Sequence, residues 1–140
     1  MNKRLIRKLL AEFVGTCFLV MIVIGSGIMS QNLSSDQLTI LLANTIATGT
    51  GLTALIWIFI SISGAHFNPA VSLIMFLKKE LTLQELSCFT CFQFFGGFIG
   101  TIFRFLISSL IEKSFATSFP IGTLLVNLIG CFLIGLVSGY

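Results

Sequence analysis

The segment of this chain with the clearest chemical potential lies within an uncharged stretch, residues 38–77, and reads Ser63-Gly64-Ala65-His66-Phe67-Asn68-Pro69-Ala70-Val71. Proline has a preset φ and no backbone N–H, so Pro69 suits the first position of a helix, and Asn68 before it is a preferred N-cap. The sequence therefore predicts a helix that begins at Asn68 in apolar surroundings and runs to about Leu77.

The residues just before that helix, Gly64 to Phe67, carry backbone carbonyls that lipid cannot satisfy, so they must face water or protein. The whole uncharged stretch is also too long for one membrane span. It predicts a transmembrane helix, a loop and a short re-entrant helix held within the bilayer. A water-lined path for a permeant molecule is the chemistry that such an arrangement provides. The alternative is an ordinary Asn-Pro turn between two spans.

Glu12 is the second residue of chemical interest, because a carboxylate one turn into a membrane span is costly and usually faces a partner or a cavity. The alternative is an interfacial acid that reaches back to the lipid headgroups. His66 is more typical of a histidine held by its backbone and ring hydrogen bonds than of a base or a metal ligand.

Cys88 and Cys91 form a C-x-x-C pair, but they open an apolar helix with no second pair or histidine nearby. A zinc or redox site is therefore not expected there. No catalytic constellation accompanies the pore-like segment either. The sequence predicts a passive protein without enzymatic chemistry, metal or cofactor.

The composition fixes the class of protein. The chain of 140 residues is 56% hydrophobic and 9% charged, and its mean hydropathy is +1.06. These values predict an all-α integral membrane protein with room for about four spans plus the re-entrant half-helix. The predicted spans are Leu9–Met29, Leu38–Ser63, Leu86–Leu106 and Phe119–Tyr140.

The distribution of basic residues predicts the topology. Half of them precede the first span: Lys3, Arg4, Arg7 and Lys8. The connection after that span, residues 30–37, carries only Asp36. By the positive-inside rule the N-terminus is cytoplasmic in a multi-pass protein of the cell membrane, and Lys78 and Lys79 fall on the same side. Topology thus explains the net charge of +3, and no nucleic-acid partner is needed.

Residues 1 to about 103 resemble the first half of an aquaporin, a member of the major intrinsic protein family. Three motifs carry the resemblance: Ala11-Glu12-Phe13-Val14-Gly15-Thr16, the stretch from Ser63 to Val71, and Gln93 followed by Gly97 and Gly100. The resemblance implies passage of water or small uncharged solutes across the bilayer.

The same resemblance implies roles for particular residues. The carbonyls of Gly64, Ala65 and His66 would line the pore, and Asn68 would offer its side-chain amide to the permeant molecule. The dipole of the half-helix would repel protons and cations. Glu12 would accept hydrogen bonds from the loop backbone and hold the loop in place.

Thr48 bears on selectivity. Counted back from Ser63 without a gap, it falls where family members carry the second-helix residue of the narrowest constriction. An aromatic residue there suits water or glycerol channels, whereas Thr48 is small and polar. The resemblance therefore implies a wider filter for small uncharged solutes such as glycerol or metalloid hydroxides.

The chain also departs from the family pattern. An aquaporin needs two inverted halves with two Asn-Pro-Ala half-helices, and this sequence contains one such motif. The fold is therefore expected to be an incomplete aquaporin-like fold. As a single chain the channel would be incomplete as well, and function would require a homo-oligomer or a complementary half-channel chain.

Residues 96–140 resemble the first two helices of Fluc (CrcB-type) fluoride channels, with a GGxxGxxxR pattern followed by FPxGTLxVNxxG. The predicted division is an aquaporin-like half over residues 1–100, with two spans, the half-helix and a third span, and a fluoride-channel-like segment over 101–140. In that family Asn127 matches a polar pore-lining group and Arg104 an arginine of the first helix, and Thr123 belongs to the same pattern.

These fluoride-channel-like residues have other interpretations. The pair Gly96 and Gly100 favours close helix packing in lipid. Asn127 could equally form a hydrogen bond between helices, and Arg104 is expected near the outer end of the third span. Two alternatives to an aquaporin-like channel follow: a fluoride channel component, or a non-conducting remnant of a fused or truncated gene.

Overall fold

A computed structural model describes residues 3–114, and this part of the chain is helical without a strand. Its helices are α1 (Lys3–Leu33), α2 (Gln37–Phe59), α3 (Pro69–Leu77) and α4 (Leu83–Ser114). The all-α fold class is confirmed. The expected fourth span, Phe119–Tyr140, lies outside the described residues, as do Thr123 and Asn127.

Three of these helices are long and apolar enough to cross a membrane: α1, α2 and residues Leu83–Leu106 of α4. The expected first and third spans fall inside α1 and α4. The second ends at Phe59 rather than at Ser63, because the chain tightens into turns from Ile60 onward. There the N–H of Ile62 bonds to the Phe59 carbonyl at 3.0 Å, a spacing shorter than that of an α-helix.

Helix α1 lies at the centre of the fold and packs against both α2 and α4, while the short α3 packs against α4. The contact between α1 and α4 depends on Gly96 and Gly100. A Cβ atom at these positions would lie 2.3 Å from the carbonyl oxygen of Phe13 and 2.5 Å from that of Cys17. The two backbones therefore touch, which confirms the expected packing role of this glycine pair.

The connection between α1 and α2 ends at a capping residue outside the spans. Asp36 accepts hydrogen bonds at Oδ2 from the backbone N–H of Thr39 at 2.8 Å and from its hydroxyl at 2.5 Å. The Thr39 hydroxyl, followed by the Thr39 N–H, lowers the pKa of the Asp36 carboxyl. An ionised N-cap thus starts α2.

The first turns of α1 and α4 lie at the same end of the fold. Lys8 Nζ is 3.1 Å from Glu85 Oε1, and both side chains are partly exposed. Such a pair contributes little stability, about 0–1 kcal/mol. The ion pair shows that the start of α1 lies beside the start of α4, so the two helices run parallel. The basic N-terminus therefore lies at the same end of the fold as Lys78 and Lys79, which follow α3.

Candidate functional site: a buried carboxylate behind a re-entrant loop

The loop between α2 and α3 has an unusual backbone. Gly64, Ala65 and Phe67 all have positive φ, at 93°, 54° and 48°. Only the glycine adopts this conformation freely, and each of the other two costs of order 1–3 kcal/mol. Side-chain contacts must hold the loop in this shape.

Glu12 provides the main contact. Its side chain is fully buried in α1 and accepts four hydrogen bonds. At Oε1 the donors are the Ser63 hydroxyl at 2.5 Å and the His66 N–H at 3.0 Å. At Oε2 they are the Phe67 N–H at 2.7 Å and Gln93 Nε2 at 2.8 Å. Complete burial excludes the alternative of an acid that reaches the headgroups.

A second polar chain runs from Glu12 towards α3. The Gln93 amide donates from Nε2 to Ser72 Oγ at 3.0 Å as well as to Glu12, and Ser72 Oγ lies 3.0 Å from Nδ1 of His66. All of these side chains are buried. The loop is thereby tied to three helices: α1 through Glu12, α3 through Ser72 and α4 through Gln93.

Phe67 anchors the loop through apolar contact. Its ring fills a notch at Gly15 of α1, where a Cβ would lie 1.9 Å from Phe67 Cε1. The ring also meets that of Phe59 edge-to-face, with centroids 5.8 Å apart. Phe67 is thus part of the buried core cluster, whose other members are Ala11, Leu55, Phe59 and Ala65.

Asn68 starts α3 as the sequence predicts. Its backbone is extended, and its Oδ1 accepts a hydrogen bond from the Ala70 N–H at 2.9 Å, while Pro69 occupies the first turn. The helix ends at Leu77, as predicted. Asn68 and Gly64 are exposed, so the start of the half-helix and the glycine in the middle of the loop are accessible at the surface of the described chain.

A loop and half-helix of this kind occur in a chain that matches a known protein family. The family model described as major intrinsic protein matches residues 1–137. The chain belongs to the major intrinsic protein family.

Proteins similar to this major intrinsic protein include channels of two kinds. Aquaglyceroporin AqpS of Rhizobium meliloti (strain 1021) is 44% identical over 106 residues, which cover 76% of this chain and 46% of that protein. Aquaporin C of Dictyostelium discoideum is 34% identical over 67% of this chain and 34% of its own length. Fluoride-specific ion channel FluC of Maridesulfovibrio salexigens is 54% identical over 44 residues, 31% of this chain and 35% of that protein.

The chain spans less than half the length of each of these relatives. No solved structure matches it. The family match itself extends to residue 137, past residue 103, where the resemblance to aquaporins was expected to end.

Not every residue singled out in the sequence lies at the loop. Gly64, Ala65, His66 and Asn68 all lie in the loop before α3. The His66 N–H donates to Glu12 and the Ala65 N–H to Ser63 Oγ, whereas Asn68 caps α3. Thr48 is half-buried on α2 and its hydroxyl lies 3.4 Å from Asn44 Oδ1, which in turn meets the Ser26 hydroxyl of α1 at 2.7 Å.

Arg104 is the fluoride-channel-like residue within the described part of the chain. It is buried near the end of the third candidate span, at 6% exposure, far along α4 from Gln93. This position agrees with an arginine close to one end of the span. It does not bring Arg104 into the loop site.

One site residue of this major intrinsic protein escaped sequence reasoning. Ser72 is fully buried and joins His66 to Gln93. Its sequence context could have indicated this role, because Ser72 is the one polar residue of α3, PAVSLIMFL. Among the side chains that the structure describes, no group of three or more His, Cys, Asp or Glu residues could hold a metal ion.

Proposed function

We propose that this chain builds the loop and half-helix of a passive membrane channel for water or small uncharged solutes, such as glycerol or metalloid hydroxides, and catalyses no reaction. The observation that carries the proposal is the exposed start of α3 at Asn68, on a loop that also exposes Gly64 and is held by a fully buried carboxylate. The similarity to AqpS, an aquaglyceroporin, supports a small uncharged solute.

The geometry suggests how such a path would exclude cations and accept uncharged solutes. The N-terminus of α3 carries the positive end of a helix dipole, which opposes cations. The Glu12 side chain accepts four hydrogen bonds and has no exposed surface, so a cation in the path cannot pair with it directly. In the described residues the Asn68 side chain bonds through Oδ1, and Nδ2 would donate to the solute. The carbonyls of Gly64, Ala65 and His66 would accept hydrogen bonds from it.

Selectivity is proposed to depend partly on Thr48. Its short polar side chain takes up little space at the proposed constriction. The path there would therefore be wider than the width that a water molecule requires. The hydroxyl lies 3.4 Å from Asn44 Oδ1, at the long limit of a hydrogen bond. Glycerol-sized solutes would pass such a constriction.

Replacement of Asn68 tests the proposal. Asn68→Ala removes both the cap of α3, worth about 1 kcal/mol, and the Nδ2 donor. Asn68→Ser keeps a capping oxygen but has no amide donor. If the donor guides the solute, both variants should slow glycerol entry into liposomes several-fold, as measured by stopped-flow light scattering. Flux that Asn68→Ala leaves unchanged would contradict the aquaporin-like proposal, and a loss in Asn68→Ala alone would assign Asn68 to capping.

The complete channel is proposed to contain a second half. Either a homo-oligomer or a complementary half-channel chain would supply it within the lipid bilayer of the cell membrane. The exposed start of α3 and the large exposed apolar side chains of α2 and α4 are consistent with such an assembly. Cross-linked mass of the protein purified with mild detergent would show which assembly forms.

The topology is proposed to place the N-terminus in the cytoplasm. Parallel α1 and α4, joined by Lys8 and Glu85, put the basic N-terminus and residues 78–82 on one side. Reporter fusions at residue 80 should therefore report the cytoplasm, and fusions at residue 35 should report the outside. A cytoplasmic signal at residue 35 would exclude this orientation.

A fluoride channel component is a second candidate, favoured by FluC relatives that are 51–56% identical over 42–46 residues. A strongly hydrated anion needs a continuous series of donors to replace its water. The described residues of the site supply few such donors, since Glu12 accepts most of them. Fluoride-loaded liposomes with a potassium ionophore should leak no faster than protein-free ones. Rapid efflux would promote this candidate, and no flux of any solute would favour a non-conducting remnant.

A further inference from the structure

His66 is the single histidine of the chain, and its ring is enclosed on several sides. Nδ1 lies 3.0 Å from Ser72 Oγ, and the ring packs at a tilt on Phe89 with centroids 5.4 Å apart. The Nε2 edge lies beside Gly64, where a Cβ would be 3.1 Å from Nε2. A neutral imidazole can carry its proton on either nitrogen, so the neighbours decide which one.

The neighbours of Ser72 fix the direction of each hydrogen bond. Gln93 Nε2 lies 2.8 Å from a carboxylate oxygen of Glu12, which identifies the amide nitrogen, because the flipped amide would place Oε1 against that carboxylate. The same NH₂ group donates to Ser72 Oγ at 3.0 Å. The Ser72 hydroxyl therefore already accepts one hydrogen bond and retains a single proton to donate.

Among the described residues, the hydroxyl proton of Ser72 has one possible acceptor, Nδ1 of His66. In the described part of the chain, the hydrogen bonds of Ser72 Oγ are those to Gln93 and His66. A proton on His66 Nδ1, in the other tautomer or in the imidazolium, would leave the Ser72 O–H without an acceptor at a position with 0% exposure. Such a buried unsatisfied donor is disfavoured.

We propose that Ser72 is a positioning residue that holds His66 as a neutral imidazole with its proton on Nε2. Ser72 donates to Nδ1, because its buried O–H has no other acceptor among the described residues, and the hydrogen bond from Gln93 holds the hydroxyl oxygen in place. The basic lone pair of His66 is thereby sealed inside the protein and cannot take up a proton from the path. This inference goes beyond the proposed function, since it concerns the state of one ring and holds whether or not a solute passes.

Nitrogen NMR on the full chain tests it directly. With ¹⁵N-labelled histidine the protein gives signals from one imidazole, so no assignment is needed. In lipid bilayers at neutral pH we expect one-bond N–H coupling at Nε2, none at Nδ1, and an Nδ1 shift typical of a hydrogen-bond acceptor. Coupling at Nδ1, alone or together with Nε2, would overturn the proposal, and this measurement requires no variant to fold.

Two variants separate the role of Ser72 from general packing. Ser72→Ala removes the donor, so the Nδ1 signal should move towards that of an imidazole nitrogen without a hydrogen bond. Ser87→Ala is the matched control, because the exposed Ser87 hydroxyl bonds to the Leu83 carbonyl of its own helix at 3.0 Å. Its spectrum should equal that of the wild type. An Nδ1 signal identical in wild type and Ser72→Ala would also overturn the proposal.

Discussion

Glu12→Ala should release the loop between α2 and α3 and abolish any flux that depends on it. The change leaves the backbone N–H groups of His66 and Phe67 and the Ser63 hydroxyl without their acceptor, and the Gln93 NH₂ keeps only Ser72. Each buried donor left unsatisfied costs roughly 1–3 kcal/mol, so the loop should lose at least about 3 kcal/mol of local stability. Hydrogen exchange of the His66 and Phe67 amides should then accelerate roughly a hundredfold, because exchange follows local opening.

Glu12→Gln makes the sharper test because it keeps the size of the side chain. Each carboxylate oxygen of Glu12 accepts from one backbone N–H, that of His66 or that of Phe67. An amide NH₂ on either side therefore meets a backbone donor that cannot accept from it. Gln should therefore release the loop nearly as much as Ala does. Glu80→Gln, at an exposed position in the connection before α4, is the control and should change nothing. Slow exchange in Glu12→Gln would show that the carboxylate does not hold the loop.

The start of the half-helix could be read from sequence because local rules decide it. Asn68 and Pro69 act through their own backbones, and the structure has α3 begin and end where those rules place it. The cost of a charge in lipid likewise marked Glu12 as a residue in need of partners. The close packing of α4 at Gly96 and Gly100 could be predicted from the four-residue spacing of the two glycines.

Other features depend on contacts between distant residues and left little trace in the sequence. Ser72 is one polar residue in an apolar helix, and its importance appears only when α4 brings Gln93 to it. Helix α2 ends at Phe59, and the turns that follow bring the Ser63 hydroxyl to Glu12 of α1, to which it donates a hydrogen bond. The end of α2 therefore depends on a contact with α1. A propensity argument along one segment cannot foresee either contact.

Gly15→Ala should destabilise the fold by displacing Phe67 from its notch. The added Cβ would lie 1.9 Å from Phe67 Cε1, so the ring must move, and overpacking of this kind costs about 1–3 kcal/mol. Phe67 has a positive φ and belongs to the loop that Glu12 holds. The displacement should therefore also disturb the loop backbone, and it should lower the thermal midpoint and any solute flux together. Gly49→Ala is the matched control, because nothing lies within 4 Å of a Cβ there.

A double-mutant cycle gives this contact a specific signature. Phe67→Leu alone should destabilise, since it leaves the space beside Gly15 and Phe59 partly empty. Combined with Gly15→Ala, the smaller side chain makes room for the new methyl group. The double variant should then be more stable than the sum of the two single effects predicts, by roughly 1–2 kcal/mol. Additive effects would mean that Phe67 does not occupy the notch, and that the hydrogen bonds to Glu12 hold the loop without it.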